Sequence, residues 1–142
     1  MIQELSETPE YKDEVASIGF STWKEECHLL GIHSVEDYKQ SMGRTVIAVR
    51  DGLIGQVSID ECDLETHQHL SPWLCSLYVK PSYRLRGIAD RLIEYVVKDY
   101  DLLYLWCTEE LCPLYAKHGF VKMECVGKKC IMVRQIIAIR NS

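Results

Sequence analysis

The chain has 142 residues and a mass of 16.4 kDa, which fits one domain around one core and leaves no room for an independent second. Hydrophobic residues at 47% and charged residues at 26% are globular proportions and exclude a disordered, collagen-like or coiled-coil chain. Sixteen Lys and Arg against 21 Asp and Glu leave a net charge of −5, which disfavours nucleic acid as a partner and suits a cationic or amine-bearing one.

No apolar run reaches the roughly eighteen residues of a membrane span, and Met1-Ile-Gln-Glu-Leu-Ser-Glu7 lacks a charged-then-apolar leader. A cytoplasmic location without a membrane partner is therefore expected. Cysteines at 27, 62, 75, 107, 112, 125 and 130 are odd in number and sit mostly in apolar runs, which points to a reducing interior and unpaired thiols.

Taken in order, Tyr11, Val15, Ile18, Phe20 and Trp23 recur near helical spacing, and Ser34-Val-Glu-Asp37 has the form of a capping signal opening a second short helix. The period then changes. Thr45–Arg50 and Leu53–Ile59 read as strands, joined by an Asp51-Gly52 pair that suits a two-residue hairpin turn. Residues 61–71 are the most polar stretch and are expected as a surface loop. Pro72–Val79 is apolar at nearly every position, the pattern of a central strand covered on both faces. Next, Ile88, Leu92 and Val96 form a helical stripe beside Ala89, Ile93 and Val97, and Leu102–Cys107 is a strand, so the spacing favours a parallel crossover. A short helix around Pro113–Lys117 stops at Gly119, and residues 120–124 and 130–136 close the chain as a hairpin. The sum predicts the α+β class, with residues 1–142 as a single domain: a mixed central sheet of about six to seven strands flanked by about four helices.

The loop at 84–89 carries the clearest chemistry. A helix N-terminus presents unpaired N–H groups and a positive dipole end; Gly87 and the small Ala89 let an anion approach, and Arg84 and Arg86 add charge for phosphate oxygens. An ordinary strand-to-helix connection has the same composition, so the loop alone leaves both readings open.

Its flanks narrow the choice. Arg84-x-x-Gly87-x-Ala89 is similar to the [Gln/Arg]-x-x-Gly-x-[Gly/Ala] signature of the GNAT superfamily of acetyl-CoA-dependent N-acetyltransferases, and Leu77-Tyr-Val-Lys-Pro81 looks like that family's core strand. Leu114-Tyr-Ala-Lys-His-Gly-Phe120 resembles its second hallmark, Leu-Tyr-x-x-x-Gly-Phe, and Ser71-Pro-Trp-Leu74 looks like small family members; the matches span residues 72–124.

The resemblance implies acetyl-CoA as cosubstrate and a residue-by-residue division of labour. Backbone N–H groups of Arg84, Leu85, Arg86, Gly87, Ile88 and Ala89 would hold the coenzyme pyrophosphate, and the main chain of Leu77 and Val79 would pair with the pantetheine arm and face the thioester. Thr108 stands where the family often has an Asn that contacts that arm. Tyr115 would protonate the departing thiolate, a role a phenol of reference pKa ~10 can fill. The implied activity is direct transfer of the acetyl group to a primary amine. The alternatives are a catalytically silent GNAT-fold module that binds acetyl-CoA or a protein partner, and an enzyme moving a longer acyl group.

No motif identifies the base that deprotonates the amine. Glu61, Asp63, His67 and His69 lie in or beside the 61–71 loop, where a carboxylate or imidazole could act directly or through water, and where a solvated loop has the same composition. A metal is not expected: His67-x-His69 lacks a third ligand, and the spacing of Cys107, Cys112, Cys125 and Cys130 is at the loose edge of the zinc range. Cys75, within an apolar strand, reads as inert core rather than a nucleophile. Trp73, Tyr78 and Trp106 read as core and acceptor-cleft wall. The acceptor is expected to be an amine-bearing small molecule or peptide. Homodimerisation is common in the family, and the apolar ending Ile131–Ile139 is expected to offer an edge for it.

Overall fold

A computed structural model of the chain describes residues 1–136. Seven strands form one mixed sheet: β1 (Ile2–Glu4), β2 (Arg44–Val49), β3 (Leu53–Asp60), β4 (Trp73–Val79), β5 (Leu102–Thr108), β6 (Val121–Val126) and β7 (Lys129–Gln135), in the order β1-β2-β3-β4-β5-β7-β6. Five α-helices accompany it: α1 (Lys12–Thr22), α2 (Lys24–Leu29), α3 (Val35–Ser41), α4 (Ile88–Val97) and α5 (Cys112–Ala116). All neighbours are antiparallel except β4 and β5, the pair that the α4 crossover connects.

The α+β architecture is the one the residue pattern predicts, with additions. β1 lies in a stretch without strand periodicity; three residues are too few to show alternation, and pairing with β2 creates the strand. Val49 pairs with Leu53, so the first hairpin turns on residues 50–52 rather than on two residues, with Asp51 and Gly52 both at positive φ. The expected pairing edge at Ile131–Ile139 is corrected. β7 is hydrogen-bonded on both sides, to β5 and β6, and among the described residues the edge strand at this end of the sheet is β6. Residues 137–139 of that stretch lie outside the described residues.

Alternation along the strands divides the core between two faces. On β5, Leu103, Leu105 and Cys107 are buried with Leu92, Ile93 and Val96 of α4 and with Phe120 and Met132. Tyr104 and Trp106 point the other way, towards Trp73, Leu64 and Ile131. α4 seats tightly because β3 has Gly55 beneath it: a Cβ there would stand 3.2 Å from Leu92 Cδ1 and 3.4 Å from Ile88 Cγ2. On the opposite face Ile47 and Leu53 are covered by Val15 of α1 and by Leu5 of the turn after β1. α3 opens on Ser34, whose hydroxyl accepts from the Asp37 N–H at 3.0 Å, as its capping signal requires. It places Tyr38 against Ala16 and Cys27, directly over Gly19 of α1.

Candidate active site

The central feature is a split in the sheet. β4 and β5 are in register only at Trp73 and Tyr104, where the Tyr104 N–H donates to the Pro72 carbonyl at 2.9 Å. Beyond that point the strands diverge, and a cavity of about 1010 Å³ opens between Leu74–Leu77 on one side and Trp106–Thr108 on the other. β4 also breaks its pairing with β3. Gln56 pairs with Tyr78 but Ser58 pairs with Cys75, so Val57 alone faces both Ser76 and Leu77. Ser76 takes φ 54°, a left-handed conformation uncommon for a residue with a side chain. The bulge frees peptide groups of β4 beside the cavity, and the Tyr38 hydroxyl, 2.7 Å from Ser76 Oγ, braces it from α3. Leu77 is therefore at the cavity wall. Val79 pairs with Gly55, and its carbonyl accepts from Arg84 Nε at 2.8 Å.

The loop after β4 is exposed from Arg84 to Gly87. Gly87 caps α4 at φ 79°, and Leu85 also has a positive φ of 63°. These turns leave the first N–H groups of α4 facing outward, with Ile88 and Ala89 in its first turn. A Cβ on Gly87 would meet nothing within 4 Å, so the glycine serves the loop's conformation and the space outside it rather than internal packing. The Arg84 guanidinium lies 5.6 Å from the Tyr78 ring centroid and that of Arg86 5.4 Å from the Tyr83 ring, so both cations are held beside the loop. Tyr78 thus supports the loop and does not line the cleft, whereas Trp106 does.

At the far side of the split, Thr108 ends β5 and Tyr115 comes from α5, whose Pro113 sits in the first turn. Both line the cavity. Tyr115 is 7% exposed and packs edge-on against Phe120, with ring centroids 6.1 Å apart. Burial pushes its hydroxyl well above the ordinary phenol range, and Cys107, Cys75 and Asp63 add to this. The phenol is thus protonated at neutral pH. Lys117 and His118 reach back to Asp90 at 3.2 and 2.8 Å and fasten α5 to the first turn of α4.

The cavity is also lined by acidic residues. Glu61 and Asp63 line it, Glu61 exposed and Asp63 half-buried. Asp60, the last residue of β3, lines it too and was hidden from sequence reasoning because it closes a strand rather than starting a loop. Its Oδ1 accepts from the Gly43 N–H at 2.9 Å and its Oδ2 from the Cys75 thiol at 3.2 Å. Burial raises the Asp60 carboxyl above its ordinary value despite those bonds. Burial pushes Asp63 well up, and the charge on Asp60 adds to it. The Trp106 indole donates to the Asp63 carbonyl at 3.1 Å and pins this segment to β5. The histidines go elsewhere: His67 pairs with Glu124 on β6, and His69 stacks on His67. Buried Cys75 serves as a hydrogen-bond donor to Asp60, and burial holds its thiol well above the ordinary range.

Comparison with known proteins matches this geometry to a family. A family model described as the acetyltransferase (GNAT) domain matches residues 41–122. Comparison with curated protein sequences returned no match. Among solved structures, an aminoglycoside 6'-N-acetyltransferase complexed with coenzyme A superposes with a TM-score of 0.74 at 19% identity, covering 99% of each chain. Aminoglycoside 6'-acetyltransferase type Ii gives 0.72 at 24% identity, again with 99% of each chain. The PaiA N-acetyltransferase of Thermoplasma acidophilum, in complex with coenzyme A, gives 0.62 at 18% identity over 96% of this chain and 99% of that one. The fold is shared over the whole length of these enzymes, and by its sequence the chain belongs to the GNAT family of acetyltransferases.

Proposed function

We propose that the protein transfers the acetyl group of acetyl-CoA directly to a primary amine on a small, positively charged acceptor. The observation that carries this reading is the single cavity wall shared by the β4–β5 split, Tyr115, and the acidic residues Asp60, Glu61 and Asp63. The coenzyme would reach the split from the exposed loop, with the N–H groups of residues 84–89 on its pyrophosphate and the bulged main chain at Leu77 beside the thioester; Val79 and Thr108 flank the arm. These residues fit a diphosphate and an extended thiol arm because the loop is open outward and the bulge leaves peptide groups unpaired with β3. The acetyl group is the chemistry the coenzyme supplies.

The chain's own part is proton movement. Asp63 would accept a proton from the entering ammonium, since a raised pKa gives a carboxylate more of the basicity this step needs. Asp60, held by Gly43 and Cys75, would keep that proton affinity high by its neighbouring charge, and Glu61 would draw cations to the mouth. The amine nitrogen would bond to the acetyl carbon, the carbon–sulfur bond would break, Tyr115 would give its proton to the thiolate, and the surplus proton then lost from the nitrogen would restore the phenol through solvent. The names of two structural neighbours support an aminoglycoside-like polyamine among the acceptors to try first.

The test follows release of free CoA thiol from acetyl-CoA with a panel of aminoglycosides and simple polyamines. Wild-type protein is expected to release thiol with at least one, and Tyr115→Phe to lower kcat about 100-fold with the KM for acetyl-CoA unchanged. Release with no amine would overturn the proposed activity, and an unchanged kcat in Tyr115→Phe would overturn the role of the tyrosine.

A further inference from the structure

The last two strands of the sheet, β6 at its edge and β7 beside it, carry two thiols to which the proposed acetyl transfer gives no role. Cys125 on β6 and Cys130 on β7 are direct cross-strand partners beside the Gly127-Lys128 turn, and their sulfurs are 2.9 Å apart. Directly opposed residues of antiparallel strands have Cα atoms about 4.5–5.5 Å apart, inside the span of a disulfide. No backbone movement is therefore needed to join them. Every residue of β6 is exposed, Cys125 included, whereas Cys130 is buried beneath it. One thiol meets the solvent and the other waits in bonding distance, the arrangement of an attacking and a resolving cysteine. Cys107 and Cys112 also approach each other, at 3.8 Å, but neither is exposed as Cys125 is.

We propose that Cys125 and Cys130 form a redox-modification site, a dithiol that a hydroperoxide converts into a reversible intramolecular disulfide. The Cys125 thiolate attacks a peroxide oxygen; the O–O bond breaks, leaving a sulfenic acid on Cys125 and an alcohol, or water from hydrogen peroxide. The Cys130 sulfur then attacks the Cys125 sulfur, the S–S bond forms, the S–O bond breaks, and hydroxide leaves as water with the Cys130 proton. Two thiols lose two electrons to the peroxide, and a dithiol reductant returns them. The hydrogen bond to Cys130 holds the Cys125 thiol above its ordinary value, so the reaction is run at about pH 9 to populate the thiolate. The chemistry is read on the thiols themselves, without an activity assay.

The experiment treats reduced whole protein with a small excess of hydrogen peroxide, denatures it, alkylates free thiols and measures intact mass and peptides. Reduced protein is expected to take seven labels, one per cysteine. Oxidised protein is expected to take two fewer, with a peptide crosslinked between residues 125 and 130. Dithiothreitol is expected to restore full labelling, and Cys125→Ser, on an exposed position, to lose no pair of labels. Full labelling after peroxide, a crosslink between other cysteines, or a Cys125 that ends as uncrosslinked sulfinic acid would each overturn the proposal.

Discussion

Two residues, Asp60 and Tyr115, show the same physics used in opposite protonation states. Burial disfavours charge in both: it keeps the Tyr115 phenol protonated and makes the Asp60 carboxylate hold a proton more tightly than it would in water. The sign of the resulting pH dependence follows. Asp60 has a folded pKa raised above its ordinary 3.8, so the folded state binds more protons between the two values, and Asp60 removes stability as pH rises from about 3.8 through the raised value. Above the raised value the ionised Asp60 is a net cost to folding. Asp60→Asn keeps an oxygen for the Gly43 N–H and never ionises, so it is expected to melt above wild type at pH 7, with the difference vanishing near pH 3. Thermal melts at the two pH values check this. A variant that melts below wild type at pH 7 would mean that the bonds to Gly43 and Cys75 outweigh the desolvation of the charge.

At the scale of elements, the N-terminal helices matter to the site through one contact line. Gly19 on α1 admits the Tyr38 ring of α3, and the Tyr38 hydroxyl reaches Ser76 at the bulge of β4. A Cβ on Gly19 would overlap that ring, which packs with Ala16 and Cys27. Helix propensity alone favours Ala over Gly by about 1 kcal/mol, but overpacking a filled interface costs about 1–3 kcal/mol. Gly19→Ala is accordingly expected to be destabilising in urea unfolding. A stabilised variant would show that Tyr38 has room to move and that the bulge is held by β4 itself.

For the whole molecule, the proposed coenzyme site draws on the loop before α4 and on the split between β4 and β5, so it exists only in the folded state. A ligand that binds only the folded chain stabilises it by about 2.7 kcal/mol at a hundredfold excess over Kd. For a chain of this length that is a rise in Tm of about 5–10 °C. Acetyl-CoA is expected to produce such a shift and Gly87→Glu to abolish it, since the glutamate would place charge and bulk against the diphosphate. The substitution meets open space in the free protein, although a positive φ is unfavourable for it, so the variant's own melt separates loss of binding from loss of fold. Equal shifts in the two proteins would remove the loop from the coenzyme site.

Local pattern made much of this molecule legible from its residues. Ser34 caps α3 because a hydroxyl three residues before an N–H is within reach wherever the helix lies. The α4 stripe, the apolar run of β4 and the Gly87 turn express period and φ preference, which a sequence carries directly. The glycine-bearing loop at 84–89 and the short helix that carries Tyr115 were legible through motifs built on the same local features. What the sequence left open depends on distance along the chain. β1 exists only because β2 pairs with it, and β7 is interior only because β6 folds back outside it. Asp60 enters the cavity because Gly43 and Cys75 meet it from two other segments, while His67 is drawn away to Glu124, 57 residues on. Local conformational preference is written in neighbouring residues. Desolvation, partner choice and cavity shape are sums over residues that only the folded chain brings together.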